Sequence, residues 1–254
     1  FEAVRATSEV RALVNVTSDK CYENKEWPWG YRENEPMGGY DPYSSSKGCA
    51  ELITTCYHNS YFNPEKYAEH GVAIASARAG NVIGGGDWAE DRLVPDMIRA
   101  ISKGKSVEIR NPNAIRPWQH VLEPLSGYLW LAARLENDKG LHGEPFNFGP
   151  TEDDGQKTVG ELINKLTPYL GAGKKLQTSR SPNTFLESNL LQLNCEKSKN
   201  LLKWKSVLNF DETARFTAEW YKNWSDLGNA KELTVNQIDK YTDLATRRNL
   251  EWTK

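Results

Sequence analysis

The 254 residues carry 32 Lys and Arg against 34 Asp and Glu, a formal charge of −2, which favours neither a nucleic-acid partner nor an anionic membrane surface. Hydrophobic residues make up 38% and aromatics 11%, with 9 Trp and 11 Tyr, enough for a buried core in one or two globular domains and against a disordered chain. No run approaches the roughly 18 apolar residues that cross a bilayer, and the charged opening FEAVRATSEVR is unlike an export signal, so a soluble protein is expected, and so few cysteines in a chain this long fit a reducing cytoplasm.

The opening FEAVRATS has helix-like spacing, and EVRALVNV supplies a Val-rich run of strand length that ends near Val16 and Thr17. From Ser18 to Gly39 the chain is polar and interrupted by Pro28, Gly30, Pro36, Gly38 and Gly39, a long loop of the kind that carries function. YSSSKGCAELITTCYHNSYF then reads as about five helical turns, with Cys49, Leu52, Ile53, Cys56 and Tyr57 at apolar spacing. The strand GVAIASA is predicted to follow directly. Further on come a helix from about Leu93 to Ser102, a short strand at SVEI, an amphipathic helix starting at Pro124 and a brief strand at PFNFG. Beyond Thr151 the expected helices are TVGELINKLTPYL, CEKSKNLLKW and DETARFTAEWYKNW. Strand, loop, helix and strand in that order mark a parallel α/β sheet, whose chemistry lies beyond the carboxyl ends of the strands.

Two motifs leave such ends. Tyr43 and Lys47 are spaced i,i+4 at the start of the helix, so a phenol and an ammonium share one face. A free tyrosine titrates at about 10, and a nearby lysine charge stabilises the phenolate, which suits a general base for a secondary alcohol. An ordinary helix with a solvent-facing Lys has the same spacing. Thr17-Ser18-Asp19-Lys20 crowds hydroxyl, carboxyl and amine against the end of the first strand, and taken alone polar turn chemistry accounts for it. Taken together, the two motifs are expected to converge on one crevice.

Gly84, Gly85 and Gly86 are not read as a dinucleotide fingerprint, which needs GxGxxG after the first strand with a helix starting inside it. Asn81, Arg92 and Arg116 are candidates for holding a diphosphate, against the alternative of solvated arginine. Cys21, Cys49, Cys56 and Cys195 form no CxxC pair, and His58, His70, His120 and His142 are scattered, so no metal site and no disulfide framework are expected. Cys49 and Cys56 are expected to be buried small hydrophobes.

These pieces in this order resemble the extended short-chain dehydrogenase/reductase family, and within it the nucleotide-sugar 4,6-dehydratases. The resemblance covers NVTSDKCY, YSSSK, ARAGNVIGGGD, RLVPDMI, IRPWQHVLEPLSGYLWLA, FNFG and SKNLLKW…FTAEWY, which is most of the chain. It implies the later half of a Rossmann-type NAD-binding domain over residues 1–75, carrying the catalytic motifs. Residues 76–254 are then a mainly helical substrate-binding region interleaved with later strands and helices of that domain. Most members carry Thr-Asp-Glu or Ser-Glu at the strand end; the form TSDK resembles the members that act on CDP-glucose.

The roles the resemblance implies are specific. Tyr43, assisted by Lys47, removes the proton of the sugar 4-hydroxyl while hydride passes to NAD; Ser18 hydrogen-bonds the 4-oxygen, and Asp19 is the acid that expels the 6-hydroxyl as water. Lys20 is the base for the C5 proton or, if charged, an electrostatic stabiliser of the enolate. Tyr43, Lys47 and Thr17 touch NAD, and Asn81, Arg92, Arg110 and Arg116, with Ile109, bind the nucleotide sugar. The enzyme is then a lyase, a homodimer or homotetramer, serving dideoxysugar synthesis for lipopolysaccharide O-antigen. Trp27 and Trp29, in the insertion KEWPWGYREN, form a lid, a dimer surface or simple loop packing.

The family begins with a strand–GxxGxxG–helix unit, and at about 30 residues per βαβ unit roughly 100 residues are expected upstream of Phe1, carrying the glycine loop and the ribose carboxylate. The 254 residues in isolation are therefore expected to be unstable or inactive, because a parallel sheet cut after its early strands exposes an apolar edge. Three alternatives stand beside the dehydratase: a relative with another nucleotide, a C4 epimerase, which needs no acid such as Asp19, and a non-catalytic binding or scaffold protein.

Overall fold

The computed structural model describes residues 1–109, 111–151, 154–171, 178–180 and 189–254. The chain divides into two compact units: Phe1–Gly80, Pro124–Gly149 and Leu193–Lys205 form the first, and Asn81–Glu123, Pro150–Gln192 and Ser206–Lys254 the second. The chain thus leaves the first unit after Gly80 and returns to it twice. No helix among the described residues is long and apolar enough to cross a membrane.

The first unit is built on three parallel strands in the order β1 (Ala12–Val16), β2 (Ala73–Ala79) and β7 (Pro145–Phe148). Val16 pairs with Ala77 and Ala79 with Phe148. β2 lies between two neighbours and is buried along its whole length, which explains its run of small and apolar residues. Alternation puts Ile74, Ser76 and Arg78 on one face, the face that meets helix α2 (Pro42–Ser60). Asp41 caps α2, its carboxylate accepting the Ser44 amide at 3.0 Å, and Pro42 occupies the first turn where no amide is needed.

α2 corrects one expectation. Ser44, Gly48, Glu51 and Thr54 form its buried side, whereas Cys49 and Cys56 are exposed, together with Leu52 and Ile53. The reason lies in β2: a strand face displaying Ser76 and Arg78 has to be met by polar groups, because a buried charge without a partner is costly. Between α2 and β2 the chain also makes a short 3-10 turn and helix α3 (Tyr67–His70), closed by Gly71 at φ 65°, where a direct passage was predicted.

The histidines are not all scattered in space. His58 and His142 lie 4.7 Å apart between ring centroids and His70 and His142 6.2 Å apart. Backbone groups engage two of these rings: Val72 N–H donates to His70 Nδ1, Ile74 N–H donates to His142 Nδ1, and His142 Nε2 donates to the Phe62 carbonyl at 2.7 Å.

Among its described residues the second unit has three two-stranded pairs, β3 (Val82–Ile83) with β6 (Gln119–His120), β4 (Val107–Ile109) with β9 (Thr178–Arg180), and β5 (Ile115–Arg116) with β8 (Lys157–Thr158), the last antiparallel. Its core gathers Met97 from α4 (Leu93–Ser102), Leu162 and Leu166 from α6 (Val159–Tyr169), and Ala214, Ala218 and Trp220 from α7 (Phe210–Leu227). Helix α5 (Leu122–Asn137) starts two residues before the predicted Pro124, which a first turn tolerates. CEKSKNLLKW ends in a π-helical turn over Ser198–Leu202, followed by Lys203 at φ 55°. Helix α8 (Ala230–Arg247) was not anticipated; of its 18 residues Tyr241 and Ala245 are buried, so its apolar stripe is narrow.

Candidate active site

The carboxyl end of β1 runs straight into the TSDK segment. The Thr17 amide extends the ladder by donating to the Ala77 carbonyl at 2.8 Å. Ser18 then caps a 3-10 turn, Asp19–Cys21: its hydroxyl accepts the Lys20 amide at 3.2 Å and donates to Asp19 Oδ1 at 3.0 Å. Asp19 is thereby almost wholly buried, at 2% exposure. Lys20 bears electrostatically on Asp41 at the start of α2, whose carboxyl is held below its ordinary range mainly by the Ser44 hydroxyl and amide, with Lys20 a smaller contribution.

The turn packs on α2 through Gly48, where a Cβ would stand 3.6 Å from the Cys21 carbonyl oxygen. On the same helix the Lys47 ammonium lies 5.7 Å from the centre of the Tyr43 ring. Tyr43 is 55% exposed and Val16 48%, so a phenol and an apolar side chain stay uncovered at this end of the unit. The structure therefore brings Ser18, Asp19 and Lys20 against the first turns of the helix that carries Tyr43 and Lys47. The Thr17 hydroxyl is turned inward and donates to Glu51.

Beneath this surface lies a polar network that sequence reasoning missed. Glu51 receives the Thr17 hydroxyl, the Ser76 hydroxyl at 2.6 Å and two guanidinium donors of Arg78, at 2.9 and 2.8 Å. Arg78 Nη1 reaches the Tyr22 hydroxyl at 2.8 Å and the Glu33 carbonyl at 2.9 Å. The Tyr22 hydroxyl in turn donates to Asn147 Oδ1 at 2.7 Å. Burial pushes the Tyr22 phenol up, outweighing the Arg78 charge, so it stays protonated. One signal was available in the sequence: Arg78 interrupts an otherwise small and apolar strand, and a charge there requires a partner.

The Trp-bearing loop is fastened to the same network. Asn147 Nδ2 donates to the Tyr31 carbonyl at 2.9 Å, and Trp27 stacks on Tyr31 with ring centroids 5.4 Å apart. A Cβ at Gly30 would lie 2.7 Å from the Asn194 amide, so only glycine permits that approach.

The candidate substrate residues belong to the second unit. Asn81 offers its carbonyl to the Gln119 amide, Arg92 is exposed with an oxygen of Asp87 3.5 Å away, and Arg116 is buried with Nη1 donating to its neighbouring carbonyl of Ile115. Ile109 is buried; Arg110 lies outside the described residues. The triple glycine has a packing role, since a Cβ at Gly85 would be 2.0 Å from the Trp220 ring, and Gly86 adopts φ 80°.

Residues 1–149 match the NAD dependent epimerase/dehydratase family. Over 249 residues the chain is 48% identical to the CDP-glucose 4,6-dehydratase of Salmonella typhimurium, a match that covers 97% of this chain and 68% of that protein. The dTDP-glucose 4,6-dehydratase of Streptomyces antibioticus is 24% identical over 84% of this chain and 58% of its own. Among solved structures, dTDP-glucose 4,6-dehydratase of Bacillus anthracis in complex with NAD is similar with a TM-score of 0.69 at 23% identity, covering 89% of this chain and 66% of that one. UDP-glucuronic acid 4-epimerase of Bacillus cereus gives a TM-score of 0.70 at 17% identity, covering 87% and 65%. These likenesses establish a Rossmann-type α/β fold. The chain spans about two thirds of the length of the Salmonella and Bacillus anthracis proteins.

Proposed function

The chain belongs to the NAD dependent epimerase/dehydratase family, and from that premise we propose that it converts CDP-D-glucose to CDP-4-keto-6-deoxy-D-glucose, as a lyase working through transient oxidation at C4. The observation that carries this reading is the packing of the Ser18–Lys20 turn on α2 through Gly48, which sets an acid, an amine and a hydroxyl beside the helix of Tyr43 and Lys47. Identity of 48% to a relative named for CDP-glucose supports the choice of nucleotide.

The residues present suit the nicotinamide end of NAD. Half-exposed Val16 offers an apolar surface to a ring, and Tyr43 and Lys47 offer a hydroxyl and an ammonium to a ribose diol. NAD, when bound, supplies a hydride acceptor for C4 and a hydride donor for C6. Tyr43 takes the proton of the 4-hydroxyl, with the Lys47 charge stabilising its phenolate and the Ser18 hydroxyl turning from Asp19 Oδ1 to donate to the 4-oxygen. The resulting ketone acidifies the C5 proton. Asp19 protonates the departing 6-hydroxyl, which leaves as water; Lys20 takes the C5 proton when neutral, and when charged it stabilises the enolate while a water or another group takes that proton.

Asn81, Arg92 and Arg116 are assigned to the diphosphate, and Ile109 with Arg110 to the nucleotide base. The same reading places the protein in the cytoplasm as a homodimer or homotetramer that feeds dideoxysugar synthesis for O-antigen. The test is product analysis of the full natural protein with NAD and CDP-, dTDP- or GDP-glucose. A 4-keto-6-deoxy sugar, seen by its alkaline absorbance, is expected from CDP-glucose; a C4 epimer with no loss of water, or turnover confined to another nucleotide, would overturn the proposal.

A further inference from the structure

Glu51 lies four residues beyond Lys47 on α2, yet it faces inward and is 4% exposed. Its two oxygens receive four donors: Oε1 takes the Thr17 hydroxyl and Arg78 Nε, and Oε2 takes the Ser76 hydroxyl and Arg78 Nη2. That fills the acceptor sites of a carboxylate. Burial works against the charge, but the Arg78 hydrogen bonds and charge, with the two hydroxyls, outweigh it and hold the carboxyl below its ordinary range. A buried ion pair of this kind is weak support for stability, since packed apolar residues do as well; what it supplies is a defined geometry.

The geometry bears on one turn. Thr17 immediately precedes the Ser18–Cys21 turn and is held by Glu51; Tyr22 immediately follows it and is held by Arg78. We propose that Glu51 and Arg78 are positioning residues: as one unit they clamp both flanks of the Ser18–Cys21 turn to α2 and β2, and so set Ser18, Asp19 and Lys20 against the helix bearing Tyr43 and Lys47. The proposal rests on the reading that those five residues perform the chemistry.

Thr17→Val in the full natural protein removes one flank of the clamp and leaves the ion pair intact. Backbone amide exchange over residues 18–22 is expected to accelerate about tenfold, the scale of one lost hydrogen bond, while exchange in the second half of α2 is unchanged. The kcat for dehydration is expected to fall by a similar factor with KM within about twofold, and Thr17→Ser is expected to restore both. Glu51→Gln combined with Arg78→Met removes both charges of the pair together; it should lower kcat likewise, and adding Thr17→Val should lower it no further. Unchanged exchange in the turn, failure of Thr17→Ser to restore, or additive losses would each overturn the clamp. If the unaltered protein yields no 4-keto-6-deoxy sugar, the functional reading fails, and the exchange comparison still decides the clamp.

Discussion

A side chain more than half exposed contributes little to a core, so replacing Tyr43 isolates its chemistry from its packing. Tyr43→Phe is expected to lower kcat by roughly a hundredfold to ten-thousandfold, the usual contribution of a general base, with the melting temperature unchanged. Steady-state rates beside a thermal melt check this; a variant within twofold of the parent would remove Tyr43 from the reaction. Tyr43, Lys47 and the TSDK residues were legible in the sequence because each motif is contiguous and its residue types are unusual together. Glu51 was not, since a glutamate on a helix ordinarily faces water and its partner Arg78 is 27 positions away.

At the scale of elements, α2 depends on its first turn. Asp41 accepts both the amide and the hydroxyl of Ser44, and this cap precedes Tyr43 by two residues. Asp41→Ala is expected to cost about 1 kcal/mol in denaturant unfolding and to lower kcat by loosening the turn that holds Tyr43, whereas Asp41→Asn retains both. An alanine variant with unchanged stability would show that the cap is dispensable. Because the Asp41 carboxyl is held below its ordinary range by Ser44, the cap's contribution is present above that ordinary value and fades as pH falls through the depressed one. The helix itself was plain from about five turns of apolar spacing; which side faces inward was not. Apolar spacing pointed to Cys49 and Cys56, and the polar face of β2 reversed the choice.

Across the whole molecule, two buried groups of the second unit give opposite pH slopes. Burial depresses His120 to about 3, so below its ordinary value the unfolded chain takes up a proton that the folded chain refuses, and stability falls as pH drops. Burial raises Glu123 to about 7 against the Leu208 and Val207 amides, so from its ordinary carboxylate range upward the folded chain keeps a proton that the unfolded chain releases, and stability falls as pH climbs. Between about pH 4.5 and 6.5 the two nearly cancel. Relative to the parent, His120→Gln is expected to make stability fall with rising pH and Glu123→Gln to make it rise, each by about 1.4 kcal/mol per pH unit in urea titrations. Parallel slopes in all three proteins would refute the assignment. The alternation of strand, loop and helix and the candidate site residues were present in the linear order, because short-range sterics and hydrophobic period act over a few residues. The meeting of Tyr22 with Asn147, 125 positions apart, the inward turn of Glu51 and the joining of His58 with His142 were settled by parallel strand pairing. Pairing brings distant segments together and requires each buried polar group to find its partner wherever the fold has placed it, a demand that no local pattern records.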